Sequence, residues 1–249
     1  MAIVGTILFS LAGCATPTTP ASTSSVAESA SPSATAPVSA PVTPTTPTFD
    51  RTLLSLDDPN SLWVISNKRR PLNPVDFAPS DLSIPVGVPN EFTQPLREAA
   101  ARAVEAMYTD AVAQGVNFGI ISAYRDYGTQ VSLYNRYVAR DGQEAADTYS
   151  ARPGHSEHQT GLAVDFDDGG ACYLNACFES TVAGQWLAAN AANYGFVLRY
   201  PNGQDTITGF TYEPWHFRYV GVGAAQAMRD AGTLTLEQFF GLHPAPGYL

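Results

Sequence analysis

The sequence predicts an α+β fold with a mainly antiparallel sheet and flanking helices. Apolar residues recur at helical spacing in some stretches and alternate with period two in others. Helices and strands are mixed without a regular βαβ rhythm, which favours antiparallel pairing over a parallel sheet. No internal repeat is present.

The elements follow in order. Residues 50–90 carry several prolines and few periodic runs; Leu62, Trp63, Val64 and Ile65 read as a short strand and the rest as packed loop. From Asn90 the helical spacing of Phe92, Leu96, Ala99, Ala103, Val104, Met107 and Ala111 predicts a helix, with Asn90 as its cap and Gly115 as its stop. Residues 116–121 read as a buried strand that runs into Ser122-Ala123-Tyr124-Arg125-Asp126. A second helix over 129–140 is expected to bury Val131, Leu133, Tyr134, Tyr137 and Val138. A polar loop follows, through Ser150 to His158. Residues 161–166 are a strand with Leu162, Val164 and Phe166 on one face and Asp165 on the other. Residues 181–193 read as a helix stopped by Gly195. Strands follow at 196–200 and 215–220, then short helices near 222–231 and 234–240.

The chain has 249 residues, enough for one sizeable domain. Its net charge of −10 argues against nucleic acid, which needs a basic face, and against electrostatic attraction to anionic lipid. Residues 3–14 form an apolar run too short to span a bilayer, which fits the core of an export signal. Its end, Leu11-Ala12-Gly13-Cys14, resembles the bacterial lipobox; that resemblance implies cleavage before Cys14 and a lipid on its sulfur. One departure is that no Lys or Arg precedes the run. From Ala15 to Thr48 the only charge is Glu28, and Ala, Ser, Thr, Pro and Val dominate. Such a stretch cannot bury enough apolar surface to offset its ordering entropy. The expected layout is a signal at 1–13, a disordered tether at 14–48 and one folded domain at 49–249. Export permits disulfides, so Cys172 and Cys177 are expected to bridge locally; CxxxxC without a second pair fits structural zinc poorly.

Two of the four histidines sit in Gly154-His155-Ser156-Glu157-His158, and a third, His216, follows Glu213 by three residues. A catalytic zinc site needs about three N or O ligands plus an open position. His158, Asp165 and His216 supply two imidazoles and a carboxylate, with Glu213 as a base and Arg125 as an oxyanion partner. Spacing alone favours ordinary His–Asp and Glu–His pairs over a metal site, and the HExxH helix is absent. By alternation Trp215 points away from His216, toward the core. Asp167 and Asp168 read as a solvated turn, and Tyr149 and Arg152 as possible cleft residues.

Three stretches then resemble one family. SEHQTGLAVD is similar to the SxHxxGxAxD motif of VanY-type D-alanyl-D-alanine carboxypeptidases, EPWH to their ExxH element, and SAYRDYGTQ to their upstream S-x-Y/F-R-S/D-x-x-x-Q stretch. The order matches, and the resemblance covers residues 72–220. It implies the zinc-peptidase fold shared with VanX-type dipeptidases and the hedgehog amino-terminal domain. It also implies His158, Asp165 and His216 as zinc ligands, Glu213 as the base that activates water, and Arg125 as the carbonyl partner. Ser156 and Gln130 would contact the substrate's terminal residue, although Ser156 also suits a turn and Gln130 a solvent-facing helix position. His155 is expected to be a loop residue and not a ligand. The implied activity is zinc-dependent removal of the terminal D-alanine from peptidoglycan stem peptides, outside the cytoplasm, by a monomer attached to the membrane only through its lipid. L,D-carboxypeptidase or endopeptidase action on the same fold, or a non-catalytic wall-binding module, are the alternatives. The module has no need of Glu213 and Arg125. A serine enzyme using Ser156 lacks both GxSxG and SxxK.

Overall fold

The computed structural model describes residues 49–249. The signal at 1–13, Cys14 and the tether at 14–48 lie outside the described residues. In chain order the elements are β1 (Leu82–Ser83), β2 (Leu96–Arg97), α1 (Glu98–Ala113), β3 (Gly119–Ser122), α2 (Tyr127–Asp141), α3 (Gln143–Tyr149), β4 (Ala163–Asp167), α4 (Val182–Asn190), β5 (Phe196–Leu198), α5 (Asp205–Thr208), β6 (His216–Tyr219), α6 (Val222–Asp230) and α7 (Leu236–Phe239). No helix among the described residues is long and apolar enough to cross a membrane.

Several boundaries differ from expectation, each for a local reason. Trp63, Val64 and Ile65 are buried and Leu62 is half-buried, but the four form no strand. Their carbonyls are taken by a side chain: Arg218 donates to Leu62 O (3.1 Å) and Val64 O (2.7 Å). The first long helix starts at Glu98, not at Asn90. Pro95 disfavours helix at the residue before it, and Asn90 closes a turn onto Gln94 through bonds of 2.8 and 2.9 Å. Gly115, at φ +77°, ends that helix as expected. Helix α2 begins where the Asp126 carboxylate accepts the Thr129 N–H (2.7 Å). It buries Gln130 and Tyr134, while Leu133 and Tyr137 border a cavity. The expected polar loop after residue 140 contains α3, whose one buried residue, Ala146, gives no readable apolar stripe. Helix α4 is capped by Thr181 and is shorter than expected; a 3-10 turn at Ala191–Tyr194 carries the chain to Gly195.

The main sheet has the order β3-β4-β6-β5 and is antiparallel throughout. Its pleat separates two chemistries. One face carries Ile120, Val164, Phe166, Phe217, Phe196 and Leu198, packed against Ala100, Val104 and Met107 of α1 and Leu187 of α4. Phe166 is completely buried there, which stabilises the fold by about 1.5–3 kcal/mol. The opposite face carries Asp165, His216 and Arg218. A second apolar cluster joins Trp63, Ile65 and Val197 to Met228 of α6 and Phe239 of α7. Cys172 and Cys177 form the expected disulfide.

Candidate metal centre and active site

The polar face is built by register. Asp165 pairs with His216 across β4 and β6, and Ser122 pairs with Asp165 across an irregularity in β3. His158 arrives from the 3-10 turn Glu157–Thr160, which ends at Gly161 in the left-handed region (φ +68°). A Cβ on Gly161 would also press on Arg97 and Leu82 at 3.0 and 3.1 Å. Glu213 and Pro214 open a tight turn closed by the His216 N–H on Glu213 O (3.1 Å), with Pro214 at its favoured position. The turn sets Glu213 beside His216.

The ligand atoms of His158, Asp165 and His216 lie within 4.8 Å of one another, and all three residues are buried. His158 Nε2 is 3.2 Å from Asp165 Oδ2, and His216 Nδ1 is 2.9 Å from Asp165 Oδ1. His158 Nδ1–H donates to Ala123 O (2.6 Å), which leaves Nε2 with its lone pair facing Asp165. Burial alone would push the Asp165 carboxyl up, but the two histidines outweigh it and hold Asp165 well below the carboxylate range. Burial pulls His158 down. Glu213 lies 3.7 Å from His216 Nδ1, and burial pushes its carboxyl up to about 8. Two imidazoles and a carboxylate, inward-facing and close, suit a divalent ion of the zinc type. A cation there would also draw Glu213 toward its ionised form.

A cavity of about 450 Å³ opens on this trio and is also lined by Arg125, Ser156, Glu213 and Tyr200. Arg125 is braced from two sides, donating to Gln130 Oε1 (2.9 Å) and Ser122 Oγ (2.8 Å). Gln130, expected to touch substrate or solvent, is instead 1% exposed, and its amide also donates to Ala151 O (2.7 Å). It stands behind Arg125, off the cavity wall. Ser156 faces the cavity and does not cap the turn that follows it. His155 points elsewhere, bonded to Asn67 O (2.7 Å) and set edge-on to Tyr248. Tyr149 lines the cavity, whereas Arg152 is paired with Asp147 (2.7 Å). Trp215, expected to face only the core, is half-buried and reaches the cavity as well. Asp167, expected in a solvated turn, instead ends β4 and is buried, while Asp168 is exposed; each accepts a glycine N–H.

Sequence reasoning missed three features. Glu157 is buried between Arg199 (2.8 Å) and Arg218 (3.0 Å), and Arg199 also grips Glu237 at 2.7 and 2.9 Å. Burial alone would raise the Glu157 carboxyl, but the two guanidiniums hold it well below the ordinary range. The scarcity of positive charge was the one available signal. Tyr200 packs against His216 with the rings tilted by 38° and their centroids 4.8 Å apart. Leu174, inside the disulfide loop, forms part of the cavity wall.

The VanY family profile, described as D-alanyl-D-alanine carboxypeptidase, matches residues 93–222. A Bacillus subtilis (strain 168) protein named as a carboxypeptidase, YodJ, is 39% identical over 76% of this chain and 70% of its own length. The bifunctional D-Ala-D-Ala dipeptidase and carboxypeptidase VanXYC of Enterococcus gallinarum is 32% identical over 72% of this chain and 93% of its own. Among solved structures, the LD-carboxypeptidase LdcB is 39% identical, with a TM-score of 0.68 over 74% of this chain and 87% of that one. A vancomycin-resistance D,D-pentapeptidase VanY variant in complex with Zn(II) is 29% identical, with a TM-score of 0.60 over 72% and 98%. The chain therefore belongs to the VanY family of D-alanyl-D-alanine carboxypeptidases and has their zinc-peptidase fold.

Proposed function

We propose that this protein is a zinc-dependent D,D-carboxypeptidase that removes the terminal D-alanine from peptidoglycan stem peptides. The observation that carries the reading is the convergence of His158, Asp165 and His216 on one cavity that also holds Glu213 and Arg125. The Zn(II) complex of the VanY relative supports the metal. In this reading residues 1–13 direct export, a lipid on Cys14 anchors the chain, residues 14–48 form the tether, and the domain at 49–249 works as a monomer against the cell wall.

Zn2+ held by His158, Asp165 and His216 would supply a Lewis acid for the scissile carbonyl and the attacking water. Glu213 accepts a proton from that water as its oxygen bonds to the carbonyl carbon. Glu213 then returns the proton to the amide nitrogen as the C–N bond breaks, and D-alanine leaves. Arg125 meets the negative charge that builds on the carbonyl oxygen. Gln130 acts through Arg125 by bracing it. Ser156 binds the terminal carboxylate.

The second reading is L,D-carboxypeptidase action, favoured by the 39% identity to LdcB. The test is mass spectrometry of synthetic stem peptides incubated with the zinc-loaded protein. Loss of one alanine from a pentapeptide ending in D-Ala-D-Ala supports the D,D reading. Trimming of a tetrapeptide alone replaces it with the L,D reading. No cleavage of either would overturn carboxypeptidase action and favour cutting of cross-links.

A further inference from the structure

Both histidines of the trio have a second ring nitrogen that points away from the cluster. That of His158 is tied to the Ala123 carbonyl. That of His216, Nε2, is buried and has no hydrogen-bond partner. It faces Glu157 Oε2, 3.9 Å away, which is also buried and also without a partner. The other oxygen of Glu157 accepts from Arg199 and Arg218. Two orphaned polar atoms therefore confront each other directly behind the candidate metal centre, about 1 Å beyond hydrogen-bond distance.

We propose that Glu157 is a positioning residue that holds His216 in its ligating tautomer by accepting its Nε2–H. The inference rests on the reading of His216 as a zinc ligand. A neutral imidazole has one donor and one acceptor nitrogen. For Nδ1 to offer its lone pair beside Asp165, the proton must sit on Nε2, where a buried N–H without an acceptor is costly. Glu157 is the acceptor within reach. Arg199 and Arg218 hold its other oxygen at 2.8 and 3.0 Å, which fixes the carboxylate with Oε2 turned toward Nε2. A carboxylate behind a ligating imidazole also makes the ring more basic. Glu157 acts only through His216 and does not touch substrate in this role.

The test is zinc affinity, measured by competition with a chelator, for the wild-type chain, Glu157→Gln and Glu237→Gln. Glu237→Gln removes the same charge from the same buried cluster but cannot reach His216, so it controls for a merely structural effect. Glu157→Gln is expected to weaken zinc binding about 10–100-fold while Glu237→Gln stays near wild type. Equal weakening by both variants, or none by Glu157→Gln, overturns the inference and leaves the zinc site standing. A wild-type chain that binds no zinc overturns the zinc reading itself, and this inference with it. A second measurement does not depend on either variant folding: nitrogen NMR of the zinc-loaded wild-type chain. A slowly exchanging, downfield His216 Nε2 proton supports the role of Glu157, and a freely exchanging one overturns it.

Discussion

Asp165 and His216 stand directly opposite each other in the β4–β6 register, with His216 Nδ1 2.9 Å from Asp165 Oδ1. Backbone pairing therefore sets this contact before any metal arrives. Asp165→Asn keeps the shape but removes the anionic ligand. The expected result is a folded protein that retains no zinc after dialysis and loses at least about 10³ in turnover. Metal analysis and circular dichroism check it; a variant that keeps one zinc per chain would remove Asp165 from the ligand set.

Glu213→Gln separates base from ligand. Turnover is expected to fall by about 10²–10⁴ with zinc content unchanged. Stopped-time assays on a stem peptide, run beside metal analysis, decide the matter. Unchanged turnover would take Glu213 out of the proton path.

The Cys172–Cys177 bridge holds Leu174 on the cavity wall. Closing so short a loop contributes about 2 kcal/mol by the chain-entropy estimate. The double Cys→Ser variant should therefore lose at most that much stability, raise KM and keep its zinc. A change in kcat with KM constant would place the loop's effect elsewhere.

Asp147 gives a stability prediction with a defined sign. Burial opposes its ionisation, but hydrogen bonds from Arg152 and Tyr134 outweigh it and hold the carboxyl below the ordinary value. The contribution of such a group is complete above its unfolded pKa of about 3.9 and is lost as pH falls through the lower native value. Wild type should exceed Asp147→Asn by roughly 1 kcal/mol at neutral pH, after allowance for partial exposure. The gap should close below about pH 4. Denaturant melts across that range would show it; a gap that widens in acid would reverse the assignment.

The metal trio was legible in the sequence because coordination restricts residue type: imidazoles and carboxylates are conspicuous in a chain with four histidines. The sheet was legible through the alternation around Asp165. The start of α1 was not, because Asn90 looked like a cap while Pro95 made the helix begin later. Gln130 was ambiguous because one helix position suits solvent, substrate or a brace, and only the fold brings Ala151 to it. Glu157 was invisible for a similar reason. Its partners lie 42 and 61 residues away, and β5 and β6 deliver them together.

The buried Glu157–Arg199–Arg218–Glu237 cluster also fixes how far this domain can be trimmed. Arg218 reaches the carbonyls of Leu62 and Val64, and Glu237 accepts from Asn67 (3.0 Å) as well as from Arg199. The floor beneath the catalytic cavity is thus laid by residues before and after the 93–222 span that matches the family profile. A fragment cut to that span would contain every residue of the proposed catalytic set. It would also strip Arg199 of both bonds to Glu237 and Arg218 of its bonds to the carbonyls of Leu62 and Val64, leaving the two guanidiniums to share the Glu157 carboxylate. The segment that carries the chemistry and the segment able to fold are different lengths of chain.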